Sequence, residues 1–206
     1  MPSPSFIPVI KSATAGNFTA GGTVSAGGQL LGAEFSPADH GFETWTHDPY
    51  SAASSASVVN GRVYVVKLPL RRTRALTALW WSIATGAVTP VAGQSEVGVY
   101  DSAGIKLNSI NADGVMTSAS PKRSVMSGSL RTSFVWAGFV FNAATPPVLA
   151  RGSSFEAAPS MNLPTTALRA AVVADGATAL PASFSPASLS TSNCLTLFAA
   201  LETTAP

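Results

Sequence analysis

The sequence predicts an all-β protein: a β-sandwich of jelly-roll type preceded by an extended N-terminal arm. Three observations lead there. Apolar residues make up 46% of the 206 positions and charged residues only 11%, so the chain can bury a core and falls outside the disordered class. The polar remainder is rich in Ser, Thr, Gly and Pro, which favours short strands and turns over helices stabilised by Glu and Lys pairs. From Val58 onward, apolar runs alternate with turn signals at intervals that suit a sandwich or barrel.

Residues 1–56 differ in kind from the rest of the chain. Gly16, Gly21, Gly22, Gly27, Gly28 and Gly32 punctuate a segment of Ala, Ser and Thr with little periodicity. This is read as an extended arm for anchoring or assembly, with the sandwich domain at 57–206. Within the arm, the apolar stretches at 6–10 and 30–35 are suited to adding strands to a neighbour's sheet edge. A flexible tail is the other reading, and the sequence leaves both open.

The first strand of the sandwich follows Asn60-Gly61, a dipeptide in which both residues accept positive φ, and runs through Val63, Tyr64, Val65, Val66, Leu68 and Leu70. Pro69 removes a ladder donor, which places that end at an edge or bulge. Leu76, Leu79, Trp80, Trp81 and Ile83 form the next run, too short for a long helix and suited to a buried strand. Residues 96–100 and 105–110 flank Asp101-Ser102-Ala103-Gly104, where Asp bonds the turn backbone and Gly takes positive φ, and so predict a hairpin. Weaker strands are expected at 115–118 and 124–130. The unbroken run Phe134-Val135-Trp136-Ala137-Gly138-Phe139-Val140-Phe141 predicts a central strand buried on both faces. Residues 168–173 and 194–201 close the domain, for seven to nine strands in all.

The composition also bounds the partners. Low charge and a net of +2 suggest a surface partly covered by assembly, since an isolated domain usually carries more charge. Cys194 is the only cysteine, which excludes an intrachain disulfide and a cysteine-only zinc site. No run reaches the roughly 18 apolar residues of a membrane span, and the first ten residues lack a basic signal-peptide start. A soluble protein without an export signal is therefore expected.

Three separated stretches carry a family resemblance. They are Gly61-Arg62-Val63-Tyr64-Val65-Val66-Lys67-Leu68-Pro69-Leu70, Val97-Gly98-Val99-Tyr100-Asp101-Ser102-Ala103-Gly104 and Phe139-Val140-Phe141-Asn142-Ala143-Ala144-Thr145-Pro146-Pro147. In order and spacing this region, about residues 58–155, resembles the minor tail and fibre-like proteins of tailed phages, especially those infecting actinobacteria. The resemblance does not reach the arm. It implies a β-sandwich module on the virion exterior, made in the host cytoplasm and often assigned to host contact. It brings no catalytic residue. Capsid decoration or a head fibre is the alternative position for such a module.

Little in the sequence points to catalysis. The two histidines, His40 and His47, are seven apart, and with Asp48 they match no compact zinc motif. No Gly-x-Ser-x-Gly elbow occurs, and Glu96 and Asp101 fall on opposite faces of one strand. No catalytic residue, metal or cofactor is assigned, and a polysaccharide-cleaving enzyme is disfavoured. The basic cluster Arg71, Arg72 and Arg74 is read as an assembly or anion contact. A net charge of +2 is too small a field for nucleic acid.

Trp45, Tyr50 and Tyr100 are the candidate carbohydrate contacts, because sugar rings stack on exposed aromatic faces. Trp80, Trp81 and Trp136 are read as core or interface. The expected function is thus a non-enzymatic virion structural protein whose partners are other virion proteins. It is expected to form a homo-oligomer, a trimer first. The alternative of a different class is a lectin-like module for host-surface glycan.

Overall fold

The computed structural model describes residues 24–26, 29–31, 36–52, 54–131, 133–152, 163 and 168–204. The chain divides into two compact units, Met1–Phe35 and Ser36–Pro206. In the first unit, β1 (Val24–Ala26) and β2 (Gln29–Leu31) pair antiparallel. The strand-adding stretch expected at 6–10 lies outside the described residues, as do positions 32–35.

The second unit is all-β, with 3-10 turns at Pro37–His40, Pro49–Ser51 and Pro186–Ser188 and no α-helix among the described residues. Its six-stranded sheet is organised on one long strand. β3 (Thr44–Trp45), β4 (Ser54–Ser57), β6 (Arg74–Thr85), β10 (Ser120–Leu130), β13 (Val148–Arg151) and β15 (Ala199–Thr204) form it. β10 pairs along one side of β6, from Leu130↔Arg74 to Ser120↔Ile83. The other side is shared end to end, by β15 up to Trp81 and by β13 from Ile83. β3 extends the sheet beyond β15, and β4 extends it beyond β13.

The five-stranded sheet has the order β14 (Ala170–Ala174), β5 (Val63–Pro69), β11 (Phe134–Val140), β8 (Glu96–Tyr100) and β9 (Lys106–Asn111). A small ladder of β7 (Val88–Pro90) and β12 (Ala143–Thr145) completes the fold. All pairings are antiparallel.

The two large sheets bury one core between them. Tyr64, Val66 and Leu68 of β5 and Ala137 and Phe139 of β11 meet Leu79, Trp81 and Ile83 of β6. Trp81 sits at the centre, its ring 6.2 Å from Phe139 and 5.5 Å from Phe141. Its N–H donates to the buried Ser124 hydroxyl at 2.9 Å, which satisfies a polar atom that would otherwise be costly to enclose.

The opposite face of the five-stranded sheet is buried too. Val63, Val65, Trp136, Val140 and Ala171 form a second cluster with Leu180 and Leu189, and Phe184 packs against it. Burial on both faces removes the need for alternation, so β11 reads as a continuous apolar run, as the sequence predicts.

The hairpin expected at Asp101–Gly104 is present. Asp101 Oδ1 accepts from the N–H groups of Ala103 and Ile105, each at 2.9 Å, and Gly104 has φ +83°. Pro69 ends β5 beyond its last pairing with β14, where a missing donor costs least.

Two expectations are corrected. The segment at 115–118 is a turn, folded back by Val115 and Met116 N–H groups donating to the Ala112 carbonyl. The sandwich unit begins at Ser36 and not at 57, because β3 and β4 are strands of the six-stranded sheet. Edge strands as polar as Ser54–Ser57 carry little apolar signal of their own; the partner strand specifies them.

Candidate binding groove

Alternation along β6 sends Trp81 into the core and Trp80 to the outer face of the six-stranded sheet, where it is partly exposed. Residues 36–52 fold across this face and build one wall. Glu43 N–H donates to the Leu201 carbonyl at 2.8 Å and Thr46 N–H to Ala199 at 2.9 Å. Arg74 Nε donates to Glu43 Oε2 at 2.7 Å, with both side chains largely buried. The Thr46 hydroxyl donates to the Leu197 carbonyl at 3.1 Å.

Between that wall and β10 lies an open-sided groove of about 350 Å³. His40, Phe42, Pro49 and Ala52 come from the wall, Pro121 from β10, Ser82 and the two tryptophans from β6, Ala150 from β13, and Phe198 from the residue before β15. Phe42 and Trp80 have ring centroids 5.7 Å apart, and His40 stacks on Phe42 at 6.2 Å and 9°. Trp81 is core-facing and 1% exposed, so the rings open to the groove are those of His40, Phe42 and Trp80, with one hydroxyl, that of Ser82.

A charged cluster holds Trp80 in place. Its indole N–H donates to Glu202 Oε2 at 2.9 Å. Arg123 donates to the same carboxylate through Nε at 2.8 Å and Nη2 at 2.6 Å. The Arg123 and Trp80 hydrogen bonds lower the Glu202 carboxyl to about 2. The tryptophan's polar tip is therefore occupied, and its carbon face is what remains for a ligand.

His47 lies behind the wall, its ring 5.7 Å from Phe198 and close over Gly152. Its Nε2 is buried without a hydrogen-bond partner among the described residues. Burial pushes its pKa down, with Asp48 opposing.

The predicted contacts are scattered differently. Trp45 is half-buried in β3, edge-on to His40 at 5.4 Å, and Tyr50 stands 93% exposed beside Pro49. Neither lines the groove. Tyr100 is corrected: it is fully buried, its hydroxyl donates to the Pro181 carbonyl at 2.9 Å, and its ring meets Phe184 at 5.0 Å. No ligand reaches it.

The basic cluster also divides. Arg74 is an internal strut for Glu43, Arg72 approaches the same carboxylate at 3.6 Å, and Arg71 is exposed. His40 and His47 are not brought together; each packs on separate rings. Sequence reading misses Trp80, Phe42 and Phe198 as a set. The strict alternation of Trp80 and Trp81 is the one signal available for it.

The described carboxylates serve the fold. Asp39 and Asp48 cap turns, Asp101 and Asp113 close loops, Asp175 pairs with Arg62, and Glu96 accepts from Leu180 N–H and the Ser109 hydroxyl. No helix among the described residues is long and apolar enough to cross a membrane. No family model, no curated protein and no solved structure matches this chain.

Proposed function

We propose that the chain is a non-enzymatic structural component of a tailed-phage particle, a minor tail or fibre-like module displayed on the exterior and docked by residues 1–35. The observation that carries the reading is the strand order. β5-β11-β8-β9 in one sheet stands opposite the β13/β15-β6-β10 path in the other. From β5 onward the chain crosses between the sheets repeatedly, keeping only β8 and β9 together as a hairpin. This order supports a jelly roll, an architecture recurrent in viral shells and lectins. The inference from fold to role is by analogy.

The resembling stretches add support. They fall on β5, on β8 with its turn, and on the end of β11 through β12, so two of them lie on either side of the third within one sheet. They carry core and turn residues, which argues for a shared module. The described carboxylates are engaged in caps, loops and ion pairs, which supports binding over turnover, because a catalytic acid pair needs facing groups left for the substrate. The homo-oligomer, a trimer first, belongs to the same proposal.

Deleting residues 1–35 tests the division of labour. The truncated chain is expected to fold and to be missing from particles assembled with it. Incorporation at the wild-type level, or an unfolded truncation, would contradict the proposal.

A further inference from the structure

We propose that the groove beside Trp80 is a binding site for a neutral saccharide, with the Trp80 and Phe42 rings as its stacking platform. The inference rests on the reading of the module as displayed outward. The volume, about 350 Å³, is at the small end of ligand clefts, which span roughly 300–1,000 Å³.

The lining selects the ligand class. Its rings present carbon faces, since the Trp80 N–H is held by Glu202, and these suit the apolar C–H face of a pyranose. The Ser82 hydroxyl, without a hydrogen-bond partner among the described residues, supplies a polar contact to a sugar hydroxyl. His40 is the only ionisable group among the described lining residues, so a charged ligand would be desolvated there with little compensation. An extended peptide fits less well. Pro49 and Pro121 stand at opposite sides of the groove and have no N–H to offer a main chain.

The test is titration of the full-length protein with cellohexaose, maltohexaose and chitohexaose, followed by tryptophan fluorescence and calorimetry, beside a proline-rich peptide. Saturable binding of at least one oligosaccharide is expected. Trp80→Ala should weaken it by about tenfold or more, and Tyr50→Ala should leave it unchanged. Because Trp80→Ala also removes a partner of Glu202, Ala52→Trp serves as a second variant that fills the groove from its wall, and it should abolish binding.

Oligosaccharide binding that survives both Trp80→Ala and Ala52→Trp would overturn the groove as the site. Binding of the peptide alone, or of no probe, would overturn the saccharide assignment. None of these results bears on whether the protein is found in particles, which the deletion of residues 1–35 addresses separately.

Discussion

Trp80 on β6 donates its indole N–H to Glu202 on β15 at 2.9 Å, and Arg123 on β10 grips that carboxylate through two further bonds. One carboxylate thus ties three adjacent strands on the outer face of the sheet. The Glu202 carboxyl is lowered from 4.5 to about 2. Its contribution to stability is fully present above pH 4.5 and is lost as pH falls through about 2. Glu202→Gln is expected to lower the melting temperature at neutral pH, with the gap to wild type closing as pH approaches about 2. Thermal melts across that range check this; a gap that stays constant would contradict it.

His47 supplies a second pH dependence at a higher range. Its pKa is pushed down from 6.5 by burial, so the unfolded chain binds the proton more readily and stability falls as pH drops below 6.5. The ring packs on Phe198 and over Gly152, and its buried Nε2 has no hydrogen-bond partner among the described residues. His47→Phe is expected to flatten the dependence of melting temperature on pH just below 6.5. An unchanged slope would show that the ring escapes to solvent when charged.

The Trp81–Ser124 hydrogen bond links the neighbouring strands β6 and β10 within their sheet, where both side chains are buried. Ser124→Ala should cost about 1–3 kcal/mol by leaving a buried indole N–H unpaired. The cost should shrink in a Trp81→Phe background, where that donor is already absent. Chemical denaturation of the single and double variants measures the coupling.

Gly104 combines φ +83° with a backbone approach to Phe184 that leaves no room for a Cβ. Its carbonyl also accepts from Phe184 N–H at 2.9 Å. Gly104→Ala should therefore destabilise by about 2–3 kcal/mol, and it should loosen the 177–190 segment that covers Tyr100 and Trp136. Hydrogen exchange at Phe184 locates the effect.

The fold is legible in the sequence where local chemistry decides it. Asp101 and Gly104 specify their turn within a few residues, and the β11 run announces burial on both faces. Tyr100 reads as exposed because its cover, Leu180 and Phe184, lies some eighty residues away and has no local signature. The boundary at 56 is misplaced for a similar reason. Thr44, Trp45 and the Ser54–Ser57 strand are held by β15 and β13, which come late in the chain. The groove is hidden because it joins residues near 40, 80, 120, 150 and 198, which only the completed sheet brings together. Alternation separates Trp80 from Trp81, but it does not say which face is left uncovered.

The most direct test of the central claim is cryo-electron microscopy of the intact particle, with the density of this chain located and its copies counted around each symmetry axis. The account predicts density on the exterior of the tail or its fibres, with the sandwich outward and the N-terminal residues against the particle. Absence of the chain from the particle would contradict it.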